Sequence, residues 1–283
     1  MKKVNVLIAA LAVIALCIQS CQVKDDSDMS FVDVEYADST DMLSFSLSVR
    51  FPERVDSVAG NISDTLLGIL QNDLRMIQSY EGNMLFDEYS GRPSESIQFL
   101  DYLSSKTFTS LDSLAQSDRK DALMLSVVAP NRWECHVAVD TVLVSERYAV
   151  FNIMESLYFG GAHGGISGNT GITFSRISGK RISPIVEPSR LADLQPILRK
   201  GMMDYLEKSS DNEDFSEENL DDILFIENGM IPLPVNDPYP SAEGLVFTYM
   251  QYEIAPYALG MPQFTVPVDS IRPFLTPQAA ELF

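Results

Sequence analysis

The chain of 283 residues contains 20 basic and 40 acidic residues, which give it a formal net charge of −20. This charge repels polyanions, so it argues against nucleic acid as a partner and favours a cationic one. Acidity also serves solubility, and composition alone does not separate the two uses. The length suffices for a hydrophobic core in one elongated or two modest domains.

Residues 1–20 have the build of a secretory signal peptide. Two lysines at the start are followed by an uncharged apolar stretch over residues 6–18. This stretch is shorter than a membrane span, which needs about 20 residues. The stretch ends in Ile18-Gln19-Ser20-Cys21, which resembles the lipobox of bacterial lipoproteins. The resemblance implies that Cys21 carries a lipid such as palmitate and becomes the first mature residue. An ordinary signal peptide with an incidental cysteine and an uncleaved anchor are the alternatives.

Residues 21–30 form a polar, acidic segment without a helix or strand pattern, which predicts a lipidated tether. An acidic tract directly after the cysteine resembles the surface-export signal of Bacteroidetes lipoproteins, although a plain linker would look the same. Position 22 is Gln and not the Asp that retains lipoproteins in the inner membrane. We therefore expect a lipid anchor in the outer membrane of the cell envelope, facing the periplasm or the outside.

Cleavage after residue 20 removes two lysines, and the remaining 18 basic and 40 acidic residues give a charge of −22. Cys135 is then the one cysteine besides Cys21. We therefore expect no internal disulfide, despite an oxidising location. The fold must depend on its hydrophobic core.

The hydrophobic pattern of the first half predicts two strands followed by two helices. Strands are expected at residues 31–36 and 43–51, and in the second of these apolar residues alternate with polar ones. Apolar residues at helical spacing predict a helix over residues 62–77. A second helix is expected to begin at the cap Ser94 and to end near Ser117, where a polar run breaks the pattern.

The second half predicts mostly strands. Two are expected at residues 137–144 and 148–159, and both faces of the latter are apolar, which indicates a sheet covered on both sides. Asp193 is expected to cap a helix. Further strands are predicted at residues 171–174, 225–231, 244–254 and 263–267. The order of elements indicates an α+β fold, in which a mixed or antiparallel sheet and packed helices form two subdomains.

The sequence offers no catalytic motif and no metal-binding motif. Its two histidines, His136 and His163, cannot supply the three or four donors of a zinc site. The acidic stretch at residues 209–222 does not fit a calcium loop, because Phe215 occupies a ligand position. We predict no cofactor, no metal site and no assigned catalytic residue. Hydrolysis of glycan by a pair of carboxylates is still an alternative, because a chain of this acidity contains many carboxylates.

One segment, Tyr158–Gly165, stands out with the sequence Y-F-G-G-A-H-G-G. Four glycines allow positive φ angles and a close approach of the backbone to another surface. The ring of His163 can fix the loop or contact a ligand. A purely structural turn is the alternative. The candidate binding residues here are Tyr158, Gly160, Gly161, His163 and Gly164.

This segment and a second one, Tyr252–Gly260 with the sequence Y-E-I-A-P-Y-A-L-G, together resemble a family of extracytoplasmic domains. Such domains occur in the anti-sigma factor RsiV and beside the deacetylase domain of PdaC. The resemblance implies an RsiV-like α+β domain over residues 141–283 and a PdaC-like α+β domain over residues 31–140. It adds Tyr252, Glu253 and Tyr257 to the candidate binding residues.

The resemblance also implies a function, because RsiV-type domains bind lysozyme, a basic muramidase. A charge of −22 would suit such a partner through electrostatic steering. Sigma-factor regulation and deacetylation are not carried over. We predict a membrane-anchored envelope lipoprotein that binds a lysozyme-like protein or cell-wall glycan without catalysing a reaction. An envelope glycan hydrolase with paired carboxylates and a purely structural envelope protein are the alternatives.

Overall fold

The computed structural model describes residues 29–77, 84–92, 94–125, 131–161, 164–209, 216 and 219–283. The predicted signal peptide, the lipidation site Cys21, most of the tether, His163 and most of the acidic stretch lie outside the described residues. None of the described helices is both long enough and apolar enough to cross a membrane.

The first part of the fold is a five-stranded sheet in the order β1-β2-β3-β4-β5. All neighbours pair antiparallel except β2 and β3, which pair parallel. Parallel neighbours need a long crossover, and helices α1 and α2 provide it. The elements are β1 (Phe31–Ser39), β2 (Leu43–Pro52), α1 (Ser57–Met76), α2 (Ser96–Met124), β3 (Trp133–Val144), β4 (Tyr148–Tyr158) and β5 (Ile166–Ser175).

Alternation along β2 explains how the sheet meets the helices. Leu43, Phe45, Leu47 and Val49 are buried, while the serines between them are half-buried on the opposite face. Because side chains of a strand point alternately to its two faces, the apolar set lies towards α1 and α2. The two predicted strands of the first half are confirmed, and β1 extends three residues further than predicted.

Helix α1 follows from its cap and its apolar face. Asp56 accepts a hydrogen bond from the backbone N–H of Ala59 at 2.7 Å, which satisfies a free donor of the first turn. Leu66, Leu70 and Leu74 recur at helical spacing and are fully buried. The predicted helix over residues 62–77 is therefore confirmed, with an additional turn before it.

Helix α2 differs from the prediction at both ends. Its cap is Glu95 and not Ser94, and it continues to Met124 instead of ending near Ser117. The polar run that suggested a break lies on the solvent side of the helix, whereas Ala115 and Ala122 continue the buried side. Polar residues in an amphipathic helix mark its exposed face and do not terminate it.

The second part of the fold is a three-stranded antiparallel sheet packed against a helix. Leu194, Leu198 and Met202 of the helix are fully buried in its core. At Gly201, an added Cβ would lie 2.2 Å from the ring of Phe264, so the helix and the sheet approach closely there. The elements are α3 (Leu191–Ser209), α4 (Leu220–Ile223), β6 (Tyr239–Pro240), β7 (Leu245–Thr248), β8 (Gln263–Val266), α5 (Val268–Ile271) and α6 (Pro277–Ala280).

Two predicted strands of this part are wrong in whole or in part. In place of the strand predicted at residues 225–231, Glu227 and Met230 form an isolated β-bridge that closes a turn, in which Asn228 and Gly229 have φ angles of 56° and 66°. The predicted strand at residues 244–254 ends at Thr248, and Tyr252 has a φ angle of 65°. A positive φ is incompatible with a strand, and apolar residues alone do not reveal it. The predicted strand at residues 263–267 is confirmed as β8.

Two other elements begin a few residues before their predicted positions. Strand β5 begins at Ile166, five residues before the predicted strand at 171–174. Helix α3 begins at Leu191, so Asp193 lies within its first turn and is not the cap. An acidic residue there still interacts favourably with the helix dipole.

The fold is α+β, as predicted, and β4 belongs to both of its cores. Phe151 and Ile153 lie in the core under α1 and α2, whereas Tyr148 and Val150 lie in the core of the second part. This confirms that the sheet is covered on both sides at β4. The position between residues 140 and 141, where we placed a domain boundary, lies within β3.

Candidate functional site

The two segments that the sequence singled out lie against each other. The Tyr257 hydroxyl donates a hydrogen bond to the carbonyl oxygen of Gly165 at 2.7 Å. Six residues earlier in the chain, the Gln251 side chain accepts one from the backbone N–H of Ser167 at 2.7 Å. We call the resulting surface the motif site and define it by the described residues 158–161, 164–165 and 250–257. It lies at the end of the hairpin formed by β4 and β5.

Close packing explains why positions 164 and 165, in the part of the loop that leads into β5, are glycines. An added Cβ at Gly164 would lie 2.3 Å from the Tyr257 hydroxyl, and one at Gly165 would lie 2.7 Å from the carbonyl oxygen of Leu157. Both distances are far below van der Waals contact. These two positions therefore have no room for a side chain while Tyr257 stays in place.

Tyr158, the last residue of β4, fixes the first side of the loop. Its hydroxyl donates a hydrogen bond to the carbonyl oxygen of Gly161 at 3.0 Å and accepts one from the Asn131 side chain at 2.9 Å. The backbone N–H of Asn131 donates to the carbonyl oxygen of Gly160, which has a φ angle of 72°. Asn131 could not be predicted as part of this site, because nothing in its local sequence indicates this contact.

Tyr252 is the most exposed aromatic residue of the motif site. Its side chain is 56% exposed, and its ring lies 5.6 Å from the ring of Tyr257, tilted by 36°. Its φ angle of 65° is unusual for a bulky residue and costs on the order of 1 kcal/mol. Two adjacent tyrosine rings, one of them projecting into solvent, offer apolar area and a hydroxyl to a partner.

Glu253 is used inside the motif site and does not present a free carboxylate. One of its oxygens accepts a hydrogen bond from the backbone N–H of Val235 and the other from that of Met250, each at 2.7 Å. Hydrogen bonds to a carboxylate are among the stronger ones in proteins. Glu253 therefore shapes the turn from which Tyr252 projects.

The fold gathers seven of the predicted site residues around one loop. These are Tyr158, Gly160, Gly161, Gly164, Tyr252, Glu253 and Tyr257. His163 and Cys21 lie outside the described residues. Gln251, Asn131 and Met250 complete the arrangement, and their contacts depend on residues distant in sequence.

Glu155 lies beside the motif site, on the side of the sheet that faces the helices, and it interacts electrostatically with Asp73 of α1. Glu155 of β4 is opposite Gly168 of β5, and an added Cβ at Gly168 would lie 3.1 Å from both the Glu155 carboxylate and the terminal methyl of Met250. Burial raises the pKa of Glu155. Burial, with the charge of Glu155, raises the pKa of Asp73 of α1 to about 7, against the opposing effect of Arg181.

Cys135 of β3 lies next to this pair of carboxyl groups, and its thiol is unreactive. Burial, together with the charge of Glu155, raises the pKa of its thiol to about 12. The thiol is therefore protonated at neutral pH and is a poor nucleophile. Within the described part of the chain, no three His, Cys, Asp or Glu side chains are grouped so that they could hold a metal ion.

Comparison with known proteins matches one region of the chain to a family and finds solved structures with a similar fold. Residues 184–269 match the family described as "Protein of unknown function (DUF3298)". This region contains Tyr252, Glu253 and Tyr257 but not the glycine-rich loop. The comparison with curated proteins gives no match.

Two solved structures share the fold. One is a DUF3298 family member from Bacteroides fragilis, with a TM-score of 0.60 and 18% identity over 88% of this chain and 94% of that one. The other is a DUF3298 family protein from Pseudomonas aeruginosa, with a TM-score of 0.53 and 13% identity over 89% of this chain and 95% of that one. The chain thus carries a DUF3298 region at residues 184–269 and has the fold of two DUF3298 proteins.

Proposed function

We propose that the chain is a membrane-anchored envelope lipoprotein whose motif site binds a basic, lysozyme-like protein without catalysing a reaction. One observation carries the proposal. Two segments separated by more than 80 residues meet through the Tyr257–Gly165 hydrogen bond, and they present the exposed ring of Tyr252 at their junction. Tyrosines are enriched among the residues that dominate binding energy at protein interfaces.

The likeness of both segments to RsiV-type and PdaC-type domains supports the choice of partner. Lysozyme binding is a property of the RsiV-type domains and comes to this chain as part of the proposal. The DUF3298 match covers the segment with Tyr252 and agrees with that likeness at a coarser level. The predicted mature charge of −22 adds a physical reason, because a strongly acidic protein attracts a basic one and accelerates their encounter.

The proposal includes a lipid on Cys21 that anchors the protein in the outer membrane. It rests on the lipobox-like sequence and on the polar, acidic segment behind it. Metabolic labelling with radioactive palmitate tests it directly. The wild-type chain is expected to take up label and to sediment with membranes, whereas Cys21→Ser loses both. Label on the Cys21→Ser variant would remove this part of the proposal.

Retention on a solid support tests the binding function. The mature chain is immobilised and exposed to hen egg-white lysozyme and, separately, to soluble peptidoglycan fragments at low salt. We expect lysozyme to be retained by the wild type and by the control Ile177→Ala, which removes an apolar side chain that is 80% exposed elsewhere. Tyr252→Ala should retain much less. Retention of the glycan alone would show that the partner is cell-wall glycan and not a protein. Retention of neither would refute the proposed binding function.

Hydrolysis of glycan is a second candidate, favoured by the carboxyl pair of Asp73 and Glu155. A carboxyl group with a pKa near 7 can act as a general acid at neutral pH, and a second carboxylate nearby can act as base or nucleophile. The test is the release of soluble fragments from insoluble peptidoglycan. Release by the wild type that disappears in Asp73→Asn would establish the hydrolase. No release by a folded wild type would exclude it.

A further inference from the structure

One half of the sheet face opposite α1 and α2 is covered by the second part of the fold. The ring of Tyr239 in β6 lies on Gly171 of β5, where an added Cβ would be 2.0 Å from the ring. The other half, over β1, β2 and β3, carries small polar side chains. There the hydroxyl of Ser46 lies 2.8 Å from Nδ1 of His136 on the neighbouring strand.

This second half contains a depression with a volume of about 160 Å³. Every residue that lines it belongs to β1, β2 or β3. Ser48 and Ala138 are paired across β2 and β3, and their small side chains leave the space. Arg50 and three carboxylates, those of Asp33, Glu35 and Asp140, surround them.

Negative charge prevails in the depression. The charge of Arg50 is offset by Asp33, since its guanidinium lies 3.6 Å from that carboxylate. The guanidinium also lies 4.8 Å above the ring of Phe31, and its buried Nε has no hydrogen-bond partner among the described residues.

Glu35 and Asp140 have exposed carboxylates, and one oxygen of Asp140 also accepts a hydrogen bond from the backbone N–H of Thr141 at 2.7 Å. Glu134 adds a further carboxylate on the same face. A cationic side chain that enters the depression would therefore meet attraction from at least two sides.

We infer that the face of β1, β2 and β3 is a docking surface for a basic protein, with one of its lysine or arginine side chains in the depression between Glu35 and Asp140. The inference rests on the proposed function, because it gives the same partner a second contact. Charge complementarity favours this occupant over an acidic or apolar one. Tyr158 is paired with Glu134 across β3 and β4 and connects this face to the motif site.

Charge reversal with a matched control tests the inference. Glu35→Lys with Asp140→Lys reverses the depression, and Asp118→Lys with Asp121→Lys makes the same change in net charge at exposed positions of α2. Affinity for hen egg-white lysozyme is measured by calorimetry on the mature chain. We expect the first variant to bind at least about tenfold more weakly and the control to change by less than about threefold. Equal loss in both variants, or no loss in either, would overturn the inference.

A second probe separates this inference from the proposed function. Wild-type protein is treated with a tetralysine peptide and a carbodiimide, which joins amines to nearby carboxylates, and the joined residues are mapped by mass spectrometry. Attachment concentrated on Glu35 and Asp140 supports the surface even if lysozyme is not bound. Attachment spread evenly over the exposed carboxylates overturns it. Loss of lysozyme binding in Tyr252→Ala but not in the charge-reversed variant would keep the function and remove the surface.

Discussion

The hydroxyl of Tyr257 donates a hydrogen bond to the carbonyl oxygen of Gly165 at 2.7 Å, although the two residues lie 92 positions apart. This contact joins the end of the first sheet to a turn of the second part of the fold. It also explains why position 164 is a glycine, since the Tyr257 hydroxyl occupies the space that a side chain at this position would need. The two sequence motifs are therefore one structural unit.

Gly164→Ala should disturb this unit, whereas Gly161→Ala should not. An added Cβ at Gly164 would lie 2.3 Å from the Tyr257 hydroxyl, while at Gly161 no atom lies within 4 Å. We expect Gly164→Ala to lower the free energy of unfolding by about 1–3 kcal/mol through overpacking and the lost hydrogen bond. Urea denaturation measures the difference. Equal stability of the two variants would contradict the packing described at Tyr257.

Glu253→Gln should weaken the turn that presents Tyr252. The carboxylate accepts two backbone N–H groups, and a neutral amide can replace only one of these acceptors well. We expect a loss of about 1.5–3 kcal/mol in the free energy of unfolding. Glu243→Gln, at an exposed glutamate, is the control and should leave it within about 0.5 kcal/mol. Two variants as stable as the wild type would show that Glu253 does not fasten the turn.

Asp73 should make the protein less stable as the pH rises. Its folded pKa of about 7 exceeds the ordinary value of 3.8 for an aspartate, so the folded state holds a proton that the unfolded state has released between these two pH values. Stability conferred by the protonated group is fully present below about pH 4 and is lost as the pH rises to about 7. The loss is on the order of 1–4 kcal/mol.

Denaturation of the wild type and Asp73→Asn at a series of pH values between about 4 and 8 tests this linkage. The variant cannot ionise, so its stability should fall less over this range, and it should be the more stable protein at pH 8. A remaining slope is expected from Glu155, whose pKa is raised by burial as well. Parallel curves for the two proteins would rule out Asp73 as the titrating group.

Glycines in helices α1 and α3 should respond to replacement by alanine with opposite changes in stability. In α3, a Cβ at Gly201 would lie 2.2 Å from the ring of Phe264, whereas in α1 nothing lies within 4 Å of a Cβ at Gly68. Gly201→Ala should cost about 1–3 kcal/mol by forcing α3 away from β8. Gly68→Ala should gain about 0.5–1 kcal/mol, because alanine favours the helix. Thermal unfolding distinguishes these outcomes, and a stabilised Gly201→Ala would refute the close packing of α3.

Much of the local structure could be predicted because it follows from short-range patterns. The alternation in β2 and the helical spacing of leucines in α1 each depend on burial of one face. The predicted boundaries were wrong where polarity along the sequence does not show where a helix or strand ends. Polar residues near Ser117 lie on the solvent side of α2, and Tyr252 interrupts an apolar run with a positive φ angle.

The site was partly predictable for a different reason. The glycine-rich segment could be singled out by its composition, and the tyrosine segment lies in the region that matches DUF3298. Their contact could not be predicted, because the pairing of Tyr257 with Gly165 depends on how two distant parts of the chain fold together. The same applies to Asp73 and Glu155, which come from α1 and β4 and whose interaction no local pattern indicates.

Binding of a basic protein through Tyr252 is the proposed function of the motif site. Calorimetric titration of hen egg-white lysozyme into the mature chain at about 50 mM salt tests it most directly. We predict saturable binding that weakens as salt increases, a loss of at least about tenfold in Tyr252→Ala and no change in Ile177→Ala. Absence of binding by the folded wild type, or the same affinity in all three proteins, would contradict the proposed function.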